Sequence, residues 1–277
     1  MAKRILFTDL DGTLLDYSTY SFEKALPALE LLRRRDIPLI VCSSKTKGEI
    51  GHYRRKLANH DPFITENGGG IFIPKSYFDP DLLTLPFDVR EENGYSVIRL
   101  GAEYSDLRKA LEALKSRGFP VKGFGDMTVE EITSISGLSR SEAALSKERH
   151  FDEPFIFDGD EADVRVLLAE ITALGFRFTR GRFFHILGNS DKGKAVSLLT
   201  GLFKKRFGSV VTIALGDSLN DLPMLQAVDV PVVVQKKDGT YEPEINVPNL
   251  IRAEGIGPAG WNRTVLTLIS DNAIAEP

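Results

Sequence analysis

The stretch KRILFTDLDGT, Lys3 to Thr13, decides the fold. Ile5-Leu6-Phe7 is a short apolar run that reads as a buried strand over residues 4–9. Two carboxylates, Asp9 and Asp11, follow it directly, ahead of Gly12. If the strand ends at Asp9, both acids project from one side of the continuing chain at period two. They then point past the carboxyl end of a sheet, where open α/β sheets place their ligands. The same residues are also good turn formers, so the rest of the chain must decide between a turn and a reaction centre.

Outward from this strand, short β-branched runs alternate with amphipathic ones, the pattern of a parallel sheet with crossover helices. Helices are expected over 21–34 and 46–59, and strands over 38–42 and 63–65. Glu66-Asn67-Gly68-Gly69-Gly70 then makes a turn whose glycines permit positive φ. The alternation returns late: helix 192–207, strand 210–215, helix 218–227, strand 230–234 and a closing helix 261–269. Between them the texture changes. Strands at 95–99 and 182–186 alternate with strong helices at 103–117 and 162–174. The expectation is therefore an α/β core formed by residues 1–85 and 188–277, with an α+β domain, 86–187, inserted into it.

Composition excludes several classes. The chain has 277 residues, 42% of them hydrophobic, enough to bury a large core, and its 35 basic and 39 acidic residues are mixed along it. A net charge of −4 gives no field that would steer the protein to nucleic acid. No apolar run approaches the about 18 residues of a membrane span, and the start of the chain has no signal-peptide core, so a cytoplasmic protein is expected. The single cysteine, Cys42, lies in an apolar strand and reads as a buried thiol. Oligomeric state is not legible.

Three further stretches bear on Asp9 and Asp11. Ala214-Leu215-Gly216-Asp217-Ser218-Leu219-Asn220-Asp221 is again an apolar strand running into acids. Asp9, Asp11 and Asp217 together would be hard oxygen ligands suited to Mg²⁺, although Asp217 could instead cap the next helix. Ser190-Asp191-Lys192-Gly193-Lys194 puts lysines at a helix start, against the macrodipole. An anion would explain them: a cation and a unit negative charge at about 4 Å gain roughly 4 kcal/mol at an effective dielectric near 20. Either Lys192 or Lys194 could serve. In Ser43-Ser44-Lys45-Thr46, hydroxyls could hold a phosphoryl oxygen or cap the helix that follows.

In that order, Asp9-Leu10-Asp11-Gly12-Thr13, Ser43, Lys192 and Gly216-Asp217-Ser218-Leu219-Asn220-Asp221 resemble the four motifs of the haloacid dehalogenase superfamily. The insertion point resembles its type-2 (C2B-like) capped branch, which holds sugar phosphatases and phosphomannomutases. The resemblance implies a Rossmann-like core and a cap that reads the substrate. It implies Asp9 as nucleophile and Mg²⁺ ligand, forming an aspartyl-phosphate, and Asp11 as alternating acid and base whose backbone carbonyl also meets the metal. Asp217 would complete the ligands, Asp221 would act through water or Lys192, and Ser43 would hold a phosphoryl oxygen. Gly12 would let backbone N–H groups approach the anion.

Within the insertion, the stretches 123–131, 147–155 and 181–194 look like those of mannosyl-3-phosphoglycerate phosphatases, as do Ser44-Lys45-Thr46 and 66–70. That narrower resemblance implies hydrolysis of a phosphorylated sugar-glycerate to mannosylglycerate, a compatible solute, and phosphate. Lys45, Asn67, Gly69, Arg149, Arg180, Arg182 and His185 are then candidates for binding it, with Asp126 and Glu153 accepting from sugar hydroxyls. Glucosyl-3-phosphoglycerate or sucrose phosphate as substrate, a phosphomannomutase, and a non-catalytic binding protein are the alternatives.

Overall fold

A computed structural model describes residues 2–83 and 88–270. The strand Lys3–Thr8 lies inside a nine-stranded sheet of order 251–256, 230–235, 210–216, 3–8, 39–42, 63–65, 70–74, 95–99, 89–92. The first six pair in parallel and the last three antiparallel. Period two explains the burial: Ile5 and Phe7 face a cluster with Val196, Leu199 and Phe203, whereas Leu6 faces one with Leu29, Leu32 and Trp261. Both faces are therefore covered, as a parallel sheet requires. Cys42 is fully buried, and burial pushes its thiol pKa far up.

The helices form where the spacing predicts; the first two are shorter than expected, Lys192–Phe207 has the expected bounds and the closing helix, Pro258–Ser270, is longer. Leu26–Arg34 buries Ala28, Leu29, Leu31 and Leu32 and is preceded by a 3₁₀ turn, Glu23–Ala25. Lys47–Lys56 starts on a capping box of Thr46 and Glu49. Lys192–Phe207 starts at Asp191, whose side chain accepts from Lys194 N at 2.8 Å. The helix expected over 218–227 is a 3₁₀ turn, Leu219–Asp221, then Leu222–Gln226.

The strand Tyr95–Arg99 differs from expectation. Its texture suggested the insertion, yet it hydrogen-bonds to Gly70–Pro74 and extends the large sheet. Alternation is the reason: Val97 joins one core cluster and Ile98 the other, so both faces of the sheet continue through it. The expected boundary at 85 and 86 lies outside the described residues.

A second, antiparallel sheet, of order 121–123, 152–157, 184–187, 177–180, comes from the middle of the chain. Helices Tyr104–Ser116 and Glu161–Ala173 cover one face through Leu107, Leu111, Leu114, Leu167 and Ile171. Two short helices, Val129–Ser136 and Arg140–Ser146, pack with Phe124 and Met127 on a separate small cluster. Among the described residues no helix is long and apolar enough to cross a membrane.

Candidate active site

Parallel pairing sets the site. Lys3–Thr8 runs beside Val210–Gly216 with Thr8 opposite Leu215, and beside Leu39–Cys42 with Thr8 opposite Val41. Asp9, Ser43 and Asp217 thus leave the sheet at one edge, within a residue or two of the same level. Asp9, Asp217 and Asp221, all buried, offer oxygens within 4.8 Å of one another.

Lys192 binds this cluster from below. Fully buried, it donates to Asp9 Oδ1 at 2.7 Å and to Asp221 Oδ1 at 2.6 Å. The other oxygen of Asp221 accepts from the backbone N–H groups of Asp217 and Ser218 at 3.0 and 3.1 Å. Asp221 is therefore a fixed brace, while Asp217 is held by Thr13 Oγ1 at 2.9 Å and Ser218 Oγ at 3.0 Å. Gly12, at φ +79°, is required here, because a Cβ would come within 2.8 Å of Asp217 Oδ2.

Three carboxylates against one ammonium leave the cluster short of positive charge. Burial drives the Asp9 pKa well above its ordinary value, and Asp221, Asp217 and Asp11 add to the rise against the pull of Lys192. Burial and then Asp221 push Asp217 up to about 7, against its bonds from Thr13 and Ser218. Burial alone would lower the pKa of Lys192, but Asp221 and Asp9 outweigh it and hold the ammonium charged. A small divalent cation with oxygen ligands fits this donor set, since it supplies the missing charge to carboxylates that are already converged.

Asp11 stands apart. Its carboxylate, expected near the metal, lies outside the 4.8 Å cluster and instead meets Lys45 Nζ at 2.9 Å. Lys45 is buried beside Glu49 and the rings of Tyr20 and Tyr53. Ser43 Oγ accepts from Lys45 N at 3.3 Å, and Ser44 rather than Ser43 lines the cavity above. Lys194 is exposed on Asn189 and takes no part, which resolves the choice between the two lysines.

The cavity lies between the two sheets' layers, walled by Asp9, Asp11, Lys45, Asp217 and Ser218 on one side and Phe124, Arg149, Arg182, Phe183 and His185 on the other. Of the residues expected to bind substrate, Lys45, Arg149, Arg182 and His185 reach it. The others do not. Asp126 is occupied by Arg108 and Lys115, and Glu153 by Arg108 at 2.6 Å, Tyr104 at 2.9 Å and Gly125 N at 2.8 Å. These acids hold the middle domain together rather than accepting from a ligand. Arg180 is exposed over the Phe184 ring. Gly69 packs against Phe151, and its carbonyl accepts from Leu100 and Gly101.

Asn67 lies beneath the cavity and works across the domains, donating to Asp152 at 2.8 Å and accepting from Asn220 at 3.1 Å. Beside it, Glu66 was not anticipated. Its buried carboxylate accepts from three successive backbone amides of the middle domain: His150 at 2.9 Å, Phe151 at 2.7 Å and Asp152 at 3.0 Å. Burial, then Asp152, raise its pKa to about 7. Glu66 and Asn67 both hold positive φ, at 48° and 54°. Glu49, Asp152, Tyr20 and Asn220 were given no role either, although Glu49 had a local signal in its capping spacing from Thr46 and Asn220 stands within the motif that ends at Asp221.

The chain matches the family of haloacid dehalogenase-like hydrolases over residues 6–121 and 138–240. A glucosyl-3-phosphoglycerate/mannosyl-3-phosphoglycerate phosphatase of Methanococcoides burtonii is 49% identical over 272 residues, 98% of each chain. A mannosyl-3-phosphoglycerate phosphatase of Pyrococcus horikoshii is 39% identical over 234 residues, 83% of this chain and 90% of its own. Among solved structures, the sucrose-phosphatase of Synechocystis shares the fold at a TM-score of 0.61 and 15% identity, covering 98% of this chain and 99% of its own. With two acids ending the first strand, a buried lysine behind them and an α/β core interrupted by an α+β domain, this chain belongs to the haloacid dehalogenase-like hydrolases.

Proposed function

We propose that the chain is a Mg²⁺-dependent phosphatase that hydrolyses mannosyl-3-phosphoglycerate, glucosyl-3-phosphoglycerate or both, releasing phosphate through an aspartyl-phosphate on Asp9. The observation that carries it is Lys192 bonded to Asp9 Oδ1, beside Asp217 and at the foot of a cavity walled by both domains. Two relatives at 49% and 42% identity are named as acting on both glucosyl and mannosyl compounds, which supports the broader substrate range.

In this reading residues 2–99 and 188–270 form the catalytic core, and the segment between is a cap. Asp9 attacks phosphorus through Oδ2, since Lys192 holds Oδ1. Asp9, Asp217 and the backbone carbonyl of Asp11 would hold the cation, with Asp221 fixing Lys192. The cation, when bound, neutralises charge on the phosphoryl oxygens. Lys192 would bind those oxygens, and Ser43 would do so once its hydroxyl turns from Lys45 N toward the cavity. Asp11 gives a proton to the leaving alcohol and takes one from the attacking water, and it must leave Lys45 to do so. A cytoplasmic location belongs to the same proposal.

Phosphate release from both sugar-glycerate phosphates should be abolished by a chelator and by Asp9→Asn. Equal turnover by Asp9→Asn would overturn the mechanism. A clear preference for simple hexose phosphates in a panel ranked by kcat/KM would overturn the substrate.

A further inference from the structure

Beneath the cap wall of the cavity, a group of buried polar side chains that the reaction scheme leaves unused centres on Asp152. This residue is fully buried and does not line the cavity. Its Oδ1 accepts from Arg149 at 2.5 Å, and its Oδ2 accepts from Asn67 at 2.8 Å and meets His185 Nδ1 at 3.0 Å. Arg149 also donates to the carbonyl of Ser44 at 2.9 Å. Asp152 is therefore tied to two core loops that border the reaction centre, the one carrying Ser44 and the one carrying Asn67.

His185 sits where this arrangement meets the cavity. It lines the cavity from the strand Phe184–Leu187, with the residue itself 5% exposed. With Nδ1 turned to Asp152, the free ring nitrogen is Nε2, which makes no protein hydrogen bond among the described residues and is accessible rather than enclosed. Against the upward push of burial, the Arg149 charge and the hydrogen bonds from His185 and Asn67 keep Asp152 below its usual range, so it is a carboxylate that must accept. In the neutral imidazole, an accepting carboxylate at Nδ1 puts the one ring proton there and leaves the lone pair on Nε2. An accessible nitrogen with a lone pair on the cavity wall is open to a donor from the ligand.

We propose that His185 Nε2 accepts a hydrogen bond from a hydroxyl of the substrate's alcohol half, and that Asp152 is the positioning residue that sets this tautomer. The ligand class is a polyhydroxylated phosphomonoester. A carboxylate would be refused at this nitrogen, because two acceptors would face each other; Arg182, whose guanidinium pairs with no carboxylate among the described residues, is the cation left on that wall. Because Asn67 and the Ser44 carbonyl belong to the core, the acceptor is fully set only when cap and core are together. Recognition of the hydroxyl and closure are thereby linked.

This deepens the phosphatase reading and rests on it. The test is steady-state kinetics of wild type, His185→Ala, His185→Gln and Asp152→Asn on mannosyl-3-phosphoglycerate and on p-nitrophenyl phosphate, whose leaving group has no hydroxyl to donate. His185→Ala should lower kcat/KM on the sugar compound by about 10- to 100-fold, and by a clearly smaller factor on the nitrophenyl ester. His185→Gln, which keeps an acceptor, should recover part of the loss. Asp152→Asn can donate to Nδ1 and move the ring proton to Nε2, so it should reproduce the selective loss. Equal losses on both esters, or no loss on the sugar compound, would overturn the proposal. If wild type turned over neither ester, the phosphatase reading would fall by itself. Calorimetric binding of the dephosphorylated sugar-glycerate to wild type and His185→Ala would then decide: weaker binding by the variant supports His185, and equal binding overturns it.

Discussion

Removing divalent cations should make the protein's stability depend on pH, with Asp217 as a principal source. Its carboxyl titrates at about 7 in the folded chain because burial and Asp221 outweigh the hydrogen bonds from Thr13 and Ser218; its ordinary value is 3.8. A raised folded value means that folding favours the protonated form. The contribution is intact below about pH 3.8 and drains as pH rises through 7. Between the two limits the change is roughly 3 pKa units, about 4 kcal/mol, of which about 2 kcal/mol falls between pH 5.5 and 8. Asp9, raised for the same reasons, adds in the same direction. For a chain of this size each kcal/mol moves Tm by roughly 2–4 °C, so chelator-treated protein should melt at least about 4 °C lower at pH 8 than at pH 5.5. Mg²⁺ should restore more at pH 8, where the carboxylates are ionised. Thermal unfolding followed by circular dichroism, with and without Mg²⁺, measures this, and Asp217→Asn should flatten the dependence. A flat profile in the chelated wild type, or an unchanged slope in Asp217→Asn, would refute the electrostatic account.

Lys192→Met should abolish turnover and cost about 3–5 kcal/mol in urea unfolding at pH 7.5, because it strands Asp9 and Asp221 without their cation. The loss should shrink at pH 5, where the stranded acids take up protons. Gly68→Ala and Gly137→Ala separate strain from collision. Both glycines have positive φ, but a Cβ at Gly68 would lie 2.1 Å from the Asp191 carbonyl oxygen, whereas at Gly137 nothing lies within 4 Å. Urea unfolding should show about 1 kcal/mol for Gly137→Ala and clearly more for Gly68→Ala, with the core turn and the start of the Lys192 helix forced apart.

The convergence of acids and lysine at the floor of the cavity was legible because its determinants are local. Apolar strands that end in Asp9 and Asp217 announce both the sheet and the acids, and a lysine at the start of Lys192–Phe207 stands against the helix dipole. The cap wall was legible only in part, because a charged residue's role depends on its partner. Asp126 and Glu153 looked available for sugar hydroxyls, yet Arg108 lies 18 and 45 residues away and satisfies both. The extension of the sheet by Tyr95–Arg99 was hidden for a different reason. An antiparallel strand alternates in the same way whichever sheet it joins, and its partner, Gly70–Pro74, had not been recognised. Val129–Ser136 and Arg140–Ser146 did carry a signal, the capping boxes Thr128 with Glu131 and Ser139 with Glu142, but each helix is too short to show periodicity.

Glu66 joins core to cap through the main chain of residues 150–152. Amide hydrogens are the same for every residue except proline, so the Glu66 bonds themselves constrain the path of the cap chain and not its side chains. The cap can therefore be rewritten for another substrate without renegotiating its attachment, provided that no proline enters those three positions. In a graft of a foreign cap onto this core, the clasp would act like a standard fitting with two side chains to be matched, Asp152 to Asn67 and Phe151 to the glycines at 69 and 70.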